Sequence, residues 1–132
     1  VAAFALGAEG VQLGTRFVAV EENIAHSKYK QAILNAGDTD TAITCRKLLP
    51  TRSVKTEFTR RLLELEESGA TATDIRSFLG YGRARTGQIE GDLENGEAYS
   101  GTSAGLIKDV LPAADVVHRL VEEYQKVVKK IT

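Results

Sequence analysis

Methionine and tryptophan are absent from the 132 residues, cysteine occurs once, as Cys45, and proline twice. A lone cysteine excludes an internal disulfide and gives no zinc-ligand spacing, which fits a reducing compartment and makes cytoplasm the expected location. A chain without methionine has no translation start, and Val1 to Leu6 already read as the apolar end of a helix, so a piece of something longer is expected. The basic region, apolar core and small-residue cleavage site of a signal peptide are missing too. No apolar run approaches the ~20 residues that a membrane span needs, so no membrane partner is expected. Neither sign of charge prevails: 17 Lys+Arg against 18 Asp+Glu leave a net charge of -1. That removes the basic footprint of a nucleic-acid binder.

What is present is the composition of an ordinary folded domain, 42% hydrophobic and 27% charged, in one segment with no repeat and no Pro/Ser/Gly linker. Gly7 reads as a helix stop, Val11 to Leu13 as a short apolar strand, and Gly14-Thr15 as the small-residue loop after it. Helix, turn, strand, loop is the step of a parallel α/β architecture. Apolar spacing predicts a helix over Ser27 to Ala36 with Ser27 as its cap. Thr41 to Thr44 is β-branched enough for a strand. Val54, Phe58, Leu62 and Leu65 mark one face of a second helix entered at Pro50 and Ser53 and stopped by Gly69. A third helix is predicted over Ala72 to Leu79, capped by Thr71 or Thr73, before a glycine-dotted loop from Gly80 to Gly101. Ser103 to Val110 reads as a short helix, and Ala113 to Ile131 as a long one with an apolar stripe from Val116 to Ile131.

The strand end is the most informative point. A glycine there lets the backbone approach a ligand, and Gly14-Thr15 offers adjacent N–H donors and a hydroxyl, the equipment for a phosphate monoester. In (β/α)8 barrels the loops after the last strands often hold phosphate. A Gly-Thr turn with no ligand is the simpler alternative for so short a motif.

The run Ala5-Leu6-Gly7-Ala8-Glu9-Gly10-Val11-Gln12-Leu13-Gly14-Thr15-Arg16-Phe17, followed by Glu21-Glu22, Ala25-His26 and Tyr29-Lys30, resembles the C-terminal part of the flavin-dependent nitronate monooxygenases, formerly 2-nitropropane dioxygenases. FMN-dependent enoyl-acyl-carrier-protein reductase II belongs to the same family. Asp38 to Thr41, Lys55 to Phe58, and Gly91 to Gly96 with Tyr99 to Ile107 continue the likeness in order and spacing. The resemblance implies an α/β fold: the C-terminal part of an FMN-binding (β/α)8 TIM barrel, mostly helical here, with residues 1–132 holding the last barrel strand and a helical C-terminal region. It implies FMN as cofactor, with Gln12, Leu13, Gly14 and Thr15 at its phosphate, and Tyr99, Ser100 and Thr102 toward the substrate pocket. Thr102 stands where the family often has Gln. By the resemblance, the family's tandem glycines after strand seven, its catalytic histidine and the remaining flavin contacts would precede Val1, which leaves the catalytic residues of this chain unassigned.

Two oxidoreductase activities follow from the resemblance: oxidation of alkyl nitronates with FMN and oxygen, or reduction of an enoyl thioester with NAD(P)H as the electron source. The implied partners are a small-molecule substrate, the N-terminal part of the barrel, and a second copy in a homodimer. A helical interaction module without activity is the reading from another class, since several amphipathic helices could bury their stripes on a partner.

The other chemical candidates have plainer explanations. His26 beside a helix start suits a cap, and His118 among Val116, Val117, Leu120 and Val121 suits packing. Arg60, Arg61, Arg76, Arg83 and Arg85 alternate with glutamates at pairing distances such as Glu57 with Arg61 and Arg60 with Glu64, so a solvated face is expected. Gly80-Tyr81-Gly82 lacks nucleotide-loop spacing. Asp92 to Glu97 lacks the ligand pattern of a calcium loop and reads as a reverse turn. Arg46 and Lys47 flank Cys45 and would favour its thiolate, but no local base supports a nucleophile.

Overall fold

The protein is described from a computed structural model that covers residues 1–131. Helix α1 (Ala2–Ala5) ends where Gly7 takes φ +95°. Ala8 N–H donates to the Ala3 carbonyl and Gly7 N–H to that of Phe4, both at 3.0 Å, the paired bonds that close a helix through a left-handed glycine. Gly10 to Leu13 follows without regular structure. Val11 to Leu13 has no ladder partner among the described residues, and Val11 is 61% exposed. The predicted strand is not formed because its backbone groups have no neighbouring strand to pair with. Helix α2 (Thr15–Val18) is a single turn.

Helix α3 (Ser27–Asn35) is capped by His26 rather than Ser27, its Nδ1 accepting from Lys28 N–H at 3.1 Å. The ring rests on Gly91, φ +75°, where a Cβ would come within 2.2 Å of it. Strand β1 (Thr41–Thr44) forms as predicted, but its partner is the antiparallel strand β2 (Thr51–Val54), with Thr41 opposite Val54 and Thr44 opposite Thr51. Those four residues were expected to lead into a helix. They extend because β1 supplies the hydrogen bonds, and helix α4 (Glu57–Glu67) starts only at its Thr56 cap. Helix α5 (Ala72–Leu79) begins in a reciprocal cap between Thr71 and Asp74.

The stretch read as loop holds helix α6 (Arg83–Gln88). Its Gly87 is buried against Gly96, and a Cβ on either would lie 2.3 Å or less from the other strand of backbone. A 3-10 turn (Thr102–Leu106) replaces the expected short helix, and helix α7 (Ala113–Ile131) closes the described chain. The Glu22 carboxylate accepts from Ala113 N–H at 2.9 and 3.1 Å, capping α7 from the far end of the sequence.

Two apolar clusters result. Tyr29, Ile33 and Ala36 of α3 and its end pack with Ala19, Val54, Ala98, Ala104 and Ile107. Phe58, Leu62, Ile75, Ala70 and Cys45 form the other, where Phe58 stacks on Phe78 at 5.3 Å. Val54, expected on the α4 face, belongs to the first cluster through β2. No helix among the described residues is long and apolar enough to cross a membrane.

Candidate functional site

Gln12, Leu13, Gly14 and Thr15 line one cavity of about 630 Å³, together with Gly101, Ser103, Ile107 and the α7 residues Val116 and Arg119. The sequence expectation thus falls on residues that the fold brings together. Gly14 is informative for what does not require it. Its φ of -92° is open to any residue, and an added Cβ would meet no protein atom within 4 Å. Neither backbone strain nor packing among the described residues calls for glycine here. The first turn of α2 follows at once, where the Thr15 and Arg16 N–H groups have no intrahelical acceptor while Phe17 N–H bonds the Gly14 carbonyl at 3.0 Å.

Thr15 is placed by a residue 86 positions away: its Oγ1 accepts from Gly101 N–H at 2.9 Å. The bond uses an oxygen lone pair and leaves the hydroxyl hydrogen for a further acceptor. Arg16 anchors the same turn. Its guanidinium donates to Asp109 Oδ1 at 2.9 Å, to the Asp109 carbonyl at 3.0 Å and to the Ala19 carbonyl at 2.7 Å. Arg119 reaches the other oxygen of Asp109 at 2.6 Å. One carboxylate therefore sits between two guanidiniums beside the cavity, whose wall also holds Glu123. The hydrogen bond from Arg119 holds the Asp109 carboxyl below the usual carboxylate range, helped by Arg16.

Because that pKa is lowered by folding, Asp109 contributes stability above the unfolded value of about 4, and loses it as pH falls through the lower folded value. In the full-length protein, Asp109→Asn is expected to cost on the order of 1 kcal/mol at pH 7, since the pair is partly solvated. Urea unfolding from pH 2 to 7 should show the difference from the unsubstituted protein closing at the acid end. A constant difference would mean that the charge is not what Asp109 contributes.

A second cavity, of about 420 Å³, opens on the other side of the turn, between Gly14-Thr15 and Tyr99, Ser100 and Gly101, with Tyr29 and Arg52. Tyr99 is 38% exposed there and donates its hydroxyl to Glu97. Partial burial and the Glu97 carboxylate push its phenol well above the ordinary range, so it is protonated at neutral pH. Tyr29 O–H donates to the Tyr99 carbonyl, and burial raises the Tyr29 phenol to about 12. Ser100 is buried and tied to β2, its N–H donating to the Arg52 carbonyl at 2.9 Å. Thr102 is exposed and lines neither cavity.

Arg16, Arg52, Asp109 and Arg119 were not singled out from sequence. Arg16 adjoined the Gly-Thr motif, but its partner lies 93 residues on. His26 is a cap, in the place expected of Ser27. His118 is exposed, not packed, because Val116 takes the buried side of α7. Burial pushes the Cys45 thiol up, with Glu97 and Glu66 adding to it, against the thiolate that Arg46 and Lys47 would have favoured. Arg60 pairs with both Glu57 and Glu64, whereas Arg61 turns to the Glu94 carbonyl. Arg83 is structural: it donates to the Leu79 carbonyl at 2.7 Å and lies over the Phe58 ring. Asp92 makes the expected turn by accepting from Glu94 and Asn95 N–H groups. No metal-binding group of His, Cys, Asp and Glu occurs among the described residues.

A sequence model described as nitronate monooxygenase matches residues 1–123. The chain belongs to the nitronate monooxygenase family. Over 99% of its length it is 32% identical to a nitronate monooxygenase of Neurospora crassa, and over 98% it is 29% identical to one of Paraburkholderia phytofirmans. The structure of FabK from Thermotoga maritima superposes with a TM-score of 0.90 at 40% identity, over 98% of this chain. A FabK M276A mutant from the same organism gives 0.84 at 38%. The chain spans 36% of the length of those two monooxygenases and 39 to 41% of the FabK chains. As a member of the family it takes part of the α/β-barrel fold, the class expected from the resemblance.

Proposed function

We propose that this chain supplies part of the FMN site of a nitronate monooxygenase-type oxidoreductase, with residues 1–132 as the last barrel strand and the helical region after it. The observation that carries the reading is Gly14. It is a glycine that neither φ nor protein packing requires, at the mouth of a 630 Å³ cavity, beside a hydroxyl already oriented by Gly101. A phosphate approaching the backbone supplies the missing reason for it.

The residues fit that group. Gln12 to Thr15 would hold the phosphate through backbone N–H groups at the start of α2 and through the Thr15 hydroxyl, while Arg16 fixes the turn through Asp109. When bound, FMN supplies the electron-accepting ring; the chain supplies position. Tyr99 and Ser100 face the cavity on the far side of the turn and would border the substrate. Thr102, away from both cavities, would act through the 3-10 turn it begins. Val11 to Leu13 would complete its ladder against barrel strands supplied by the rest of the full-length protein.

The family match and the two curated relatives favour an alkyl nitronate as substrate, with oxygen as the final oxidant. The likeness to FabK favours a second reading, the NAD(P)H-dependent enoyl-thioester reductase branch that the sequence resemblance implied. Denaturing the purified full-length protein should release FMN rather than FAD. Oxygen uptake with an alkyl nitronate then supports the first branch, and NAD(P)H oxidation with an enoyl thioester but not with a nitronate supports the second. A colourless protein that cannot be reconstituted with FMN would refute both.

A further inference from the structure

The 420 Å³ cavity beside the phosphate turn has one cationic residue in its wall, Arg52 of β2. Its position is set by the hairpin. Thr41 stands next to the register partner of Ser53, and its Oγ1 accepts from the Arg52 Nη1 at 3.0 Å. That bond uses one of the five N–H donors of a guanidinium and leaves the others for a ligand. Among the described residues no carboxylate pairs with it, as is also the case for Arg46, Arg61, Arg76 and Arg83 and unlike Arg16, Arg60, Arg85 and Arg119. Its backbone is equally fixed, because the Arg52 carbonyl accepts from Ser100 N–H at 2.9 Å and Ser53 bridges to Tyr99. A half-buried, oriented guanidinium without a counter-anion, in the wall of a cleft, is equipped for two-point recognition of an oxyanion. The exposed ring of Tyr99 and the side chain of Val18 border the same space and suit a short apolar group.

We propose that Arg52 is the specificity residue that holds the charged head of the substrate, a small planar oxyanion with two oxygens such as a nitronate, across the cleft from the Gly14-Thr15 turn. The proposal rests on the flavoenzyme reading, which makes this cleft the space next to the cofactor. It assigns to the β1-β2 hairpin, outside the barrel strand, the choice of anionic over neutral substrates. A phosphate group on a larger substrate would use the same guanidinium, so the probes must separate the two.

The test uses the full-length, FMN-loaded protein and follows the visible flavin spectrum during titration with sodium nitrate, an inert planar oxyanion, and separately with inorganic phosphate at matched ionic strength. Nitrate should perturb the spectrum saturably and compete with an alkyl nitronate in turnover. Arg52→Gln should raise the nitrate Kd and the nitronate KM at least tenfold, leaving kcat and FMN per chain unchanged. Arg52→Lys, which keeps the charge and loses the fork, should recover only part of the affinity. Equal nitrate affinity in Arg52→Gln with FMN still bound, or no saturable nitrate binding to the unsubstituted protein, overturns the proposal. Loss of phosphate binding alone in Arg52→Gln overturns the planar-oxyanion assignment. A protein that takes up no FMN overturns the flavoenzyme reading and this inference with it.

Discussion

Gly14→Val in the full-length protein should abolish FMN retention while leaving the fold intact. The two halves of that result come from the same observation. At φ -92°, and with no protein atom within 4 Å of a Cβ, the turn accepts a side chain without strain or collision. The valine methyls would instead occupy the space into which the phosphate must come to reach the backbone N–H groups. Excluding a phosphate removes several charge-assisted hydrogen bonds, each worth roughly 1.5 to 3 kcal/mol, so the loss in affinity should exceed a hundredfold. Thr15→Val keeps the branched shape but deletes one donor together with the acceptor of the Gly101 N–H bond, and should cost at least about 1.5 to 3 kcal/mol of binding. Flavin absorbance per chain after gel filtration and the FMN Kd from fluorescence measure both. Lys126, exposed on α7 with a loose ion pair to Glu122, serves as control: Lys126→Ala should leave flavin content unchanged. Arg83, placed on the surface by its sequence context, cannot serve, because it braces the end of α5 and covers Phe58. Full occupancy in a folded Gly14→Val protein would move the phosphate away from this turn.

The second large effect concerns the face of α7. Val116 is buried at 4%, but Val117, Val121, Tyr124 and Ile131 are 41 to 67% exposed along the helix. Phe4 meets Tyr124 edge to face at 5.6 Å, while Leu6 and Val11 stand in solvent nearby in sequence. Each such side chain gains about 1.5 to 3 kcal/mol on full burial, so a continuous stripe left open drives association. The 132 residues prepared alone should therefore bind an apolar dye and self-associate in sedimentation, whereas the full-length protein should bind no dye. A monodisperse, cooperatively unfolding, dye-silent monomer would instead favour a self-sufficient interaction module.

Which elements could be read from sequence depended on where their hydrogen bonds and contacts come from. The apolar stripe of α7 was legible although its cap is Glu22, α4 was expected to be entered at Pro50 and Ser53 and starts only at Thr56, and α5 carries its Thr71 cap and apolar spacing within its own residues. β2 does not: Thr51-Arg52-Ser53-Val54 has neither a run of apolar residues nor an alternation, and is extended because β1 lies beside it. α6 was concealed by Gly87, which reads as a helix breaker and is there so that two backbones can touch at Gly96. Val11 to Leu13 has the opposite fault. Its pattern is that of a buried strand, and no partner strand lies within the described residues.

The candidate site divides the same way. Gly14-Thr15 was picked out as a candidate phosphate turn from residue chemistry, and Gln12 and Leu13 were added by family resemblance, because all four lie in one short run. Thr15 to Gly101 and Arg16 to Asp109 are bonds between elements far apart in the chain. Nothing in the spacing of those residues announces them, because closure of the chain alone brings residues 86 and 93 positions apart into contact.

The central claim is that the Gly14-Thr15 turn holds the FMN phosphate, and a crystal structure of the full-length, flavin-loaded protein tests it most directly. A phosphate oxygen is expected within about 3 Å of the Thr15 hydroxyl and of a backbone nitrogen at the start of α2, with the Thr15 to Gly101 bond kept. A phosphate bound against another segment, with this turn facing solvent, would contradict it.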